Sequence, residues 1–184
     1  MKHSGFAAII LVAPFRNLPF LLKTYRIGGI FPILKPLQGY PFLANYLSSC
    51  IVDTWDTQSR LQTLVSLPHP TSQFSFHITL LHARNDQDID YRESEALVAP
   101  LQTALLAEEG VHTEEERRSI HGGERVRRGA FAYKKIEDSK GSRVVELEVV
   151  RYGGHNEVVG FAAVSLAVRR AFERRSLRPG LDVE

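Results

Sequence analysis

Two short polar stretches hold the side chains best suited to chemistry. "RNDQDIDY" (84–91) offers three carboxylates, Asp86, Asp88 and Asp90. "RYGGHNEVVG" (151–160) offers an imidazole, His155, behind two glycines. A carboxylate facing one imidazole nitrogen holds the ring in a single tautomer and stabilises its charged form. The other nitrogen then takes a proton from a hydroxyl nucleophile. Each stretch also has a plainer reading. Gly-Gly-His alone describes a turn with a ring packed behind it, and a run of aspartates describes a solvated loop. The elements on either side decide between them.

"FAAIILVA" (6–13) is a continuous apolar run, the pattern of a strand covered on both faces. It is too short to span a bilayer, which takes about 20 residues. It has the length of a signal-peptide core after Lys2, but a poor cleavage site follows, so a buried strand is the preferred reading. Residues 16–66 carry Pro19, Pro32, Pro36 and Pro41 among seven aromatic residues (Phe20, Tyr25, Phe31, Tyr40, Phe42, Tyr46, Trp55). Prolines at that density predict short helices in an aromatic-rich insert. "FHITLLHA" (76–83) is a second strand. A helix over 92–107 follows the acidic loop, with Leu97, Leu101, Ala104 and Leu105 on one stripe and Pro100 inside it. Residues 108–142 read as an exposed, charged insertion in which "GAFAY" (129–133) touches the fold. "RVVELEVVRY" (143–152) is the third strand. The last helix, 157–175, is expected to bury Phe161, Val164, Val168 and Phe172 and to keep Arg169, Arg170, Arg174 and Arg175 wet.

Strands alternating with helices predict an α/β fold with a parallel sheet of about three strands. In such sheets, polar groups just beyond the carboxyl ends of strands line the ligand crevice. Asp86 and His155 both fall there, one strand apart. The length of 184 residues suits one domain with a real core. A formal net charge of +2, with acids and bases interleaved, gives no basis for a nucleic-acid partner. The single cysteine, Cys50, excludes an internal disulfide framework and reads as a small core residue. His3, His69, His112 and His121 lack metal-ligand spacing, and His77 alternates within a strand as a packed ring.

Three segments resemble the α/β-hydrolase superfamily. "ITLLHARNDQDIDYRESEAL" (78–97) is similar to its acid-bearing segment and "VVRYGGHNEVVGFAAVSLAVRRAF" (149–172) to its histidine-bearing segment. "ILVAPFRNLPFLL" (10–22) is similar to the strand leading into the lid. The branch they resemble is the fungal relatives of the monoacylglycerol and lysophosphatidylserine lipases. The resemblance implies a partial α/β-hydrolase fold, matching strands six to eight, with flanking helices and a helical lid over 16–66. It implies a serine ester hydrolase with Asp86 as the acid and His155 as the general base, and Asp88 as the competing acid. It also implies that His82 supports the pair from behind or plays a structural role. Asn156 either orients the histidine loop or caps the helix. Phe20, Leu21, Tyr25 and Phe31 would wall an acyl pocket or touch a membrane surface. No cofactor and no metal are implied. The family is membrane-associated at the endoplasmic reticulum. This chain has no clear transmembrane anchor and reads as intracellular.

The family's third member is missing, because no G-x-S-x-G occurs in the 184 residues. Ser4 precedes Gly5 but lacks the first glycine and the feeding strand. The chain is therefore expected to be the C-terminal portion of a hydrolase, inactive alone, with one bare edge on the strand at 6–13. A truncated gene model, a decayed duplicate and a separate N-terminal half are the three explanations. A non-catalytic module binding a lipid-like ligand or a partner protein is the alternative function. A metal hydrolase using His82, Asp86 and Asp88 is a weaker third.

Overall fold

A computed structural model describes residues 8–27, 31–32, 39–66, 76–108, 125–128, 131–138 and 141–176. In chain order the elements are β1 (Ile9–Val12), α1 (Leu18–Thr24), β2 (Arg26–Ile27), β3 (Phe31–Pro32), α2 (Pro41–Ser49) and α3 (Thr57–Val65). Then come β4 (Phe76–Ala83), α4 (Arg92–Glu108), β5 (Arg125–Arg128), β6 (Phe131–Glu137) and β7 (Arg143–Val150). A 3-10 turn (Val158–Gly160) and α5 (Ala162–Ser176) complete the set.

The fold is α/β, a mixed sheet flanked by helices. Its strand order is β1-β4-β7-β6-β5, with β1, β4 and β7 parallel and β6 and β5 antiparallel. The eight residues of β4 are all buried, as expected of a central strand covered on both faces. β1 is only half-buried and, among the described residues, pairs on one side alone.

The two faces of the sheet differ in chemistry, and period-two alternation on β7 is the cause. Val145, Leu147 and Val149 face α3 and α4, joining Ile78 and Leu80 of β4 against Leu97, Leu101 and Leu105. Full burial of such side chains contributes roughly 1.5–3 kcal/mol each. The intervening Glu146 and Glu148 point to the opposite face, and both are buried. Arg170 of α5 reaches down to them, its Nη2 donating to Glu148 Oε2 at 2.7 Å and its Nε lying 3.3 Å from Glu146 Oε2. His77 Nε2 stands 3.3 Å from the same glutamate oxygen.

That charge pairing corrects the expected helix stripe. α5 presents Ala167, Ala171 and Arg170 to the sheet, while Val168 and Phe172 are exposed. Two buried carboxylates need a cation more than the sheet needs two more apolar side chains. The helix also does not start at 157: a 3-10 turn intervenes, and Phe161 separates it from α5.

Three further expectations change. Residues 125–128 and 131–137 are strands of the sheet rather than part of an exposed insertion; β6 pairs along β7 from Ala132↔Val149 to Glu137↔Val144, and β5 pairs along β6. The hairpin satisfies backbone groups that β7 would otherwise leave bare. "GAFAY" does meet the fold, through Ala132 and Tyr133. Within 16–66 the helices are short, as the prolines require, but α3 belongs to the core layer through Leu61 and Val65. Cys50 is exposed, at the end of α2, which turns large apolar side chains outward and leaves the cysteine no core to enter. His3, Ser4, His69, His112 and His121 lie outside the described residues.

Arg170→Met should lower stability by about 3 kcal/mol, because it strands two buried carboxylates. Burial pushes the Glu146 carboxyl up, but the hydrogen bond and charge of His77 and the charges of Arg170 and Arg174 outweigh it and hold it low. Its contribution is therefore complete above the unfolded value of 4.5 and is lost as pH falls through the lower folded value. Urea melts of both proteins at pH 7 and at pH 4 measure the difference; the gap should narrow at the lower pH.

Candidate functional site

The register Ala83↔Val150 ends β4 and β7 at the same height, so the loops that follow them leave the sheet side by side. One carries Asp86 and the other His155. The His155 Nδ1–H donates to Asp86 Oδ2 at 2.9 Å. The Asp86 side chain is wholly buried, while that of His155 is 31% exposed. The acid is thus sealed behind a ring that keeps one side toward solvent.

Local sequence explains the shape of each loop. Arg84 N–H donates to Val150 O, tying the two strand ends together. Asp86 Oδ1 accepts from the backbone N–H groups of Asp88 (2.9 Å) and Ile89 (3.0 Å), an Asx turn that folds the loop around its own carboxylate. On the histidine side, Gly153 has φ +130°, and a Cβ there would sit 2.7 Å from the Phe161 ring. Only glycine meets both conditions. Glu157 then closes the loop by accepting from the Gly154 N–H at 3.0 Å.

The electrostatics follow from these contacts. Burial alone would raise the Asp86 carboxyl. Hydrogen bonds from His82, the Ile89 N–H, His155 and the Asp88 N–H overcome it and lower the carboxyl from 3.8 to about 2. Asp86 is therefore ionised at neutral pH, and the proton between it and His155 resides on Nδ1. The geometry leaves Nε2 of His155 as the nitrogen able to accept a proton from another group.

The remaining candidates separate clearly. Asp88 contributes a backbone N–H to Asp86 and is not the acid that meets the imidazole. Asp90 is exposed and accepts from the Arg92 N–H at 2.9 Å. His82 is fully buried, with Nε2 2.9 Å from Ile89 O and 3.4 Å from Asp86 Oδ2. Asn156 is exposed and lies well before α5, which rules out its capping that helix; Glu157 is the side chain that orders the loop. Of the expected pocket residues, Leu21 is buried and the Phe20 ring stacks under the Arg16 guanidinium at 3.6 Å. Tyr25 is half-buried at the end of α1, and the Phe31 side chain lies outside the described residues.

Sequence reasoning missed three members of the surroundings. Glu93, in the first turn of α4, holds Arg16 through two hydrogen bonds of 3.1 and 3.0 Å. Ser94, its neighbour, lies 2.7 Å from His82 Nδ1 and 3.5 Å from Pro14 O. Arg16 and Glu93 are too far apart in the chain for any periodic pattern to pair them. Ser94 had a weak signal, a small polar residue in the first turn after an acidic loop.

No protein-family model, curated protein or solved structure matches this chain. Among the described residues, no group of three His, Cys, Asp or Glu side chains is arranged to hold a metal ion.

Asp86→Asn should cost about 2 kcal/mol at neutral pH, the equivalent of its displaced titration. Because the folded value lies below the unfolded one, that stabilisation is present above pH 4 and disappears as pH falls toward 2. Gly153→Ala should cost about 1–3 kcal/mol through backbone strain and the Phe161 contact. Thermal melts at pH 7 and pH 3 check both, and only the Asp86→Asn deficit should shrink at the lower pH.

Proposed function

We propose that this chain carries the acid and base of a serine ester hydrolase's proton relay on the C-terminal portion of an α/β-hydrolase fold. The observation supporting this most is the 2.9 Å hydrogen bond from His155 Nδ1 to an ionised, buried Asp86, at adjoining ends of parallel strands. Three parallel strands in the order β1-β4-β7, with the acid after the second and the imidazole after the third, agree with that fold.

In the mechanism Asp86 fixes the Nδ1–H tautomer and stabilises the imidazolium. His155 Nε2 takes the proton from a serine hydroxyl and later returns it to the leaving alkoxide. No G-x-S-x-G stands in the 184 residues, so the hydroxyl and its oxyanion hole are not supplied by this sequence. The chain by itself is inactive on this reading.

A lipid-like acyl ester is the substrate class that α2 supports. Phe42 is 85% exposed and Tyr46 58%, and Leu43 and Leu47 are exposed beside them, on a helix with no charged residue. Such a surface suits acyl chains or a membrane interface. No helix among the described residues is long and apolar enough to cross a membrane. The same missing nucleophile favours one other reading, a non-catalytic module that binds a lipid-like ligand or a partner protein.

Purified chain treated with a fluorophosphonate probe and with p-nitrophenyl butyrate should show neither serine labelling nor turnover. Co-expressed with a polypeptide bearing the G-x-S-x-G turn, it should support labelling of the added serine. His155→Ala should then lower kcat by about 10⁴–10⁶-fold. Labelling of one of this chain's own serines, or turnover indifferent to His155→Ala, would contradict the proposal.

A further inference from the structure

Asp86 is held by more than its partner imidazole. Its Oδ1 is fully occupied by two backbone N–H groups, while Oδ2 stands between two rings, His155 at 2.9 Å and His82 at 3.4 Å. The His82 ring is buried with no exposure, on the last turn-facing residue but one of the rigid central strand. Its Nε2 also lies 2.9 Å from the Ile89 carbonyl. A carbonyl only accepts, so Nε2 must carry a proton. On the other side of the ring, Nδ1 is 2.7 Å from Ser94 Oγ. The alternative target of that hydroxyl, Pro14 O, is distant at 3.5 Å.

We propose that His82 is a positioning residue for the pair: the Ser94 hydroxyl donates to its Nδ1, and its Nε2–H, shared between Ile89 O and Asp86 Oδ2, fixes the carboxylate for His155. The inference rests on reading Asp86 and His155 as a proton relay. The chain of contacts joins three parts of the fold: the end of β4, the acidic loop and the first turn of α4. Without His82 the carboxylate keeps its Oδ1 anchor but can turn about it, and Oδ2 loses the donor opposite His155. The neighbouring charges are engaged elsewhere. Arg16 pairs with Glu93, Glu157 closes its own loop, Arg92 pairs with Asp90, and Arg84 lies over the Tyr91 ring. Asp88 offers Asp86 only a backbone N–H.

A plain structural role, His82 latching the loop through Ile89 O alone, makes different predictions. Imidazole 15N spectra of the full chain at neutral pH should show His82 with a pyrrole-like Nε2 and a pyridine-like Nδ1. In Ser94→Ala the Nδ1 resonance should move as its hydrogen bond is lost. Carboxyl 13C titration should place the Asp86 midpoint higher in His82→Phe by about one pH unit, while His82→Gln, which keeps a donor, restores it. None of these readouts needs turnover, so failure of the hydrolase reading leaves them intact. Should His82→Phe not fold, the tautomer spectra and the other two variants decide. A doubly protonated His82, an Nδ1 indifferent to Ser94→Ala, or an Asp86 midpoint unmoved in a folded His82→Phe overturns the proposal.

Discussion

The parallel pairing of β4 with β7 is the constraint on which everything at the site depends. Eight consecutive residue pairs, from Phe76↔Arg143 to Ala83↔Val150, bring two chain reversals to one height. A slip of one residue would turn Glu146 and Glu148 into the apolar layer under α4 and expose Val145, Leu147 and Val149 to the arginines of α5. The register is therefore specified by the chemistry of both faces. The Arg84 N–H bond to Val150 O then carries the pairing one step past the strands, into the loop that bears Asp86. The distance between Asp86 and His155 is a consequence of sheet geometry before it is a property of either loop.

Burial of polar groups is managed differently on the two sides of this structure. Over the sheet face under α5, the solution is charge on charge: Glu146 and Glu148 against Arg170, with His77 beside them. Such clusters contribute little net stability compared with apolar packing, but they penalise any other register or helix rotation. At the loop end, the solution is a dense set of hydrogen bonds around one carboxylate. That arrangement keeps Asp86 charged while sealed from water, which is the condition for it to act on an imidazole. Arg16 and Glu93 brace the same region by tying the loop after β1 to the first turn of α4.

Much of this was legible in the sequence where one physical rule dominated. The octet 76–83 was readable because a short, largely apolar stretch set between a turn segment and a polar loop has few alternatives. The glycines before His155 were readable as a turn, though not the contact that makes Gly153 obligatory, since Phe161 approaches it only in the folded state. Of the last helical stripe, Phe161 and Val164 do pack on the core, but Val168 and Phe172 were misread, because helical periodicity ranks residues by polarity and does not see the glutamates opposite. The hairpin of β5 and β6 was hidden for a related reason. Its sequence, "RVRR" and "FAYKKIE", is charged enough to pass for a loop, and it became strand because β7 offered an unpaired edge. A supporting role for His82 came only from the family resemblance, and its partner Ser94 could be assigned only once α4 had been placed against that strand.

The proposed relay depends on a proton held on Nδ1 of His155 by an ionised Asp86. Proton NMR of the folded chain at neutral pH observes that proton directly. A resonance well downfield of the amide envelope, assigned to His155 and absent in Asp86→Asn, is the expected result. A His155 ring carrying its proton on Nε2 in the folded chain, with no downfield resonance at low temperature, would contradict it.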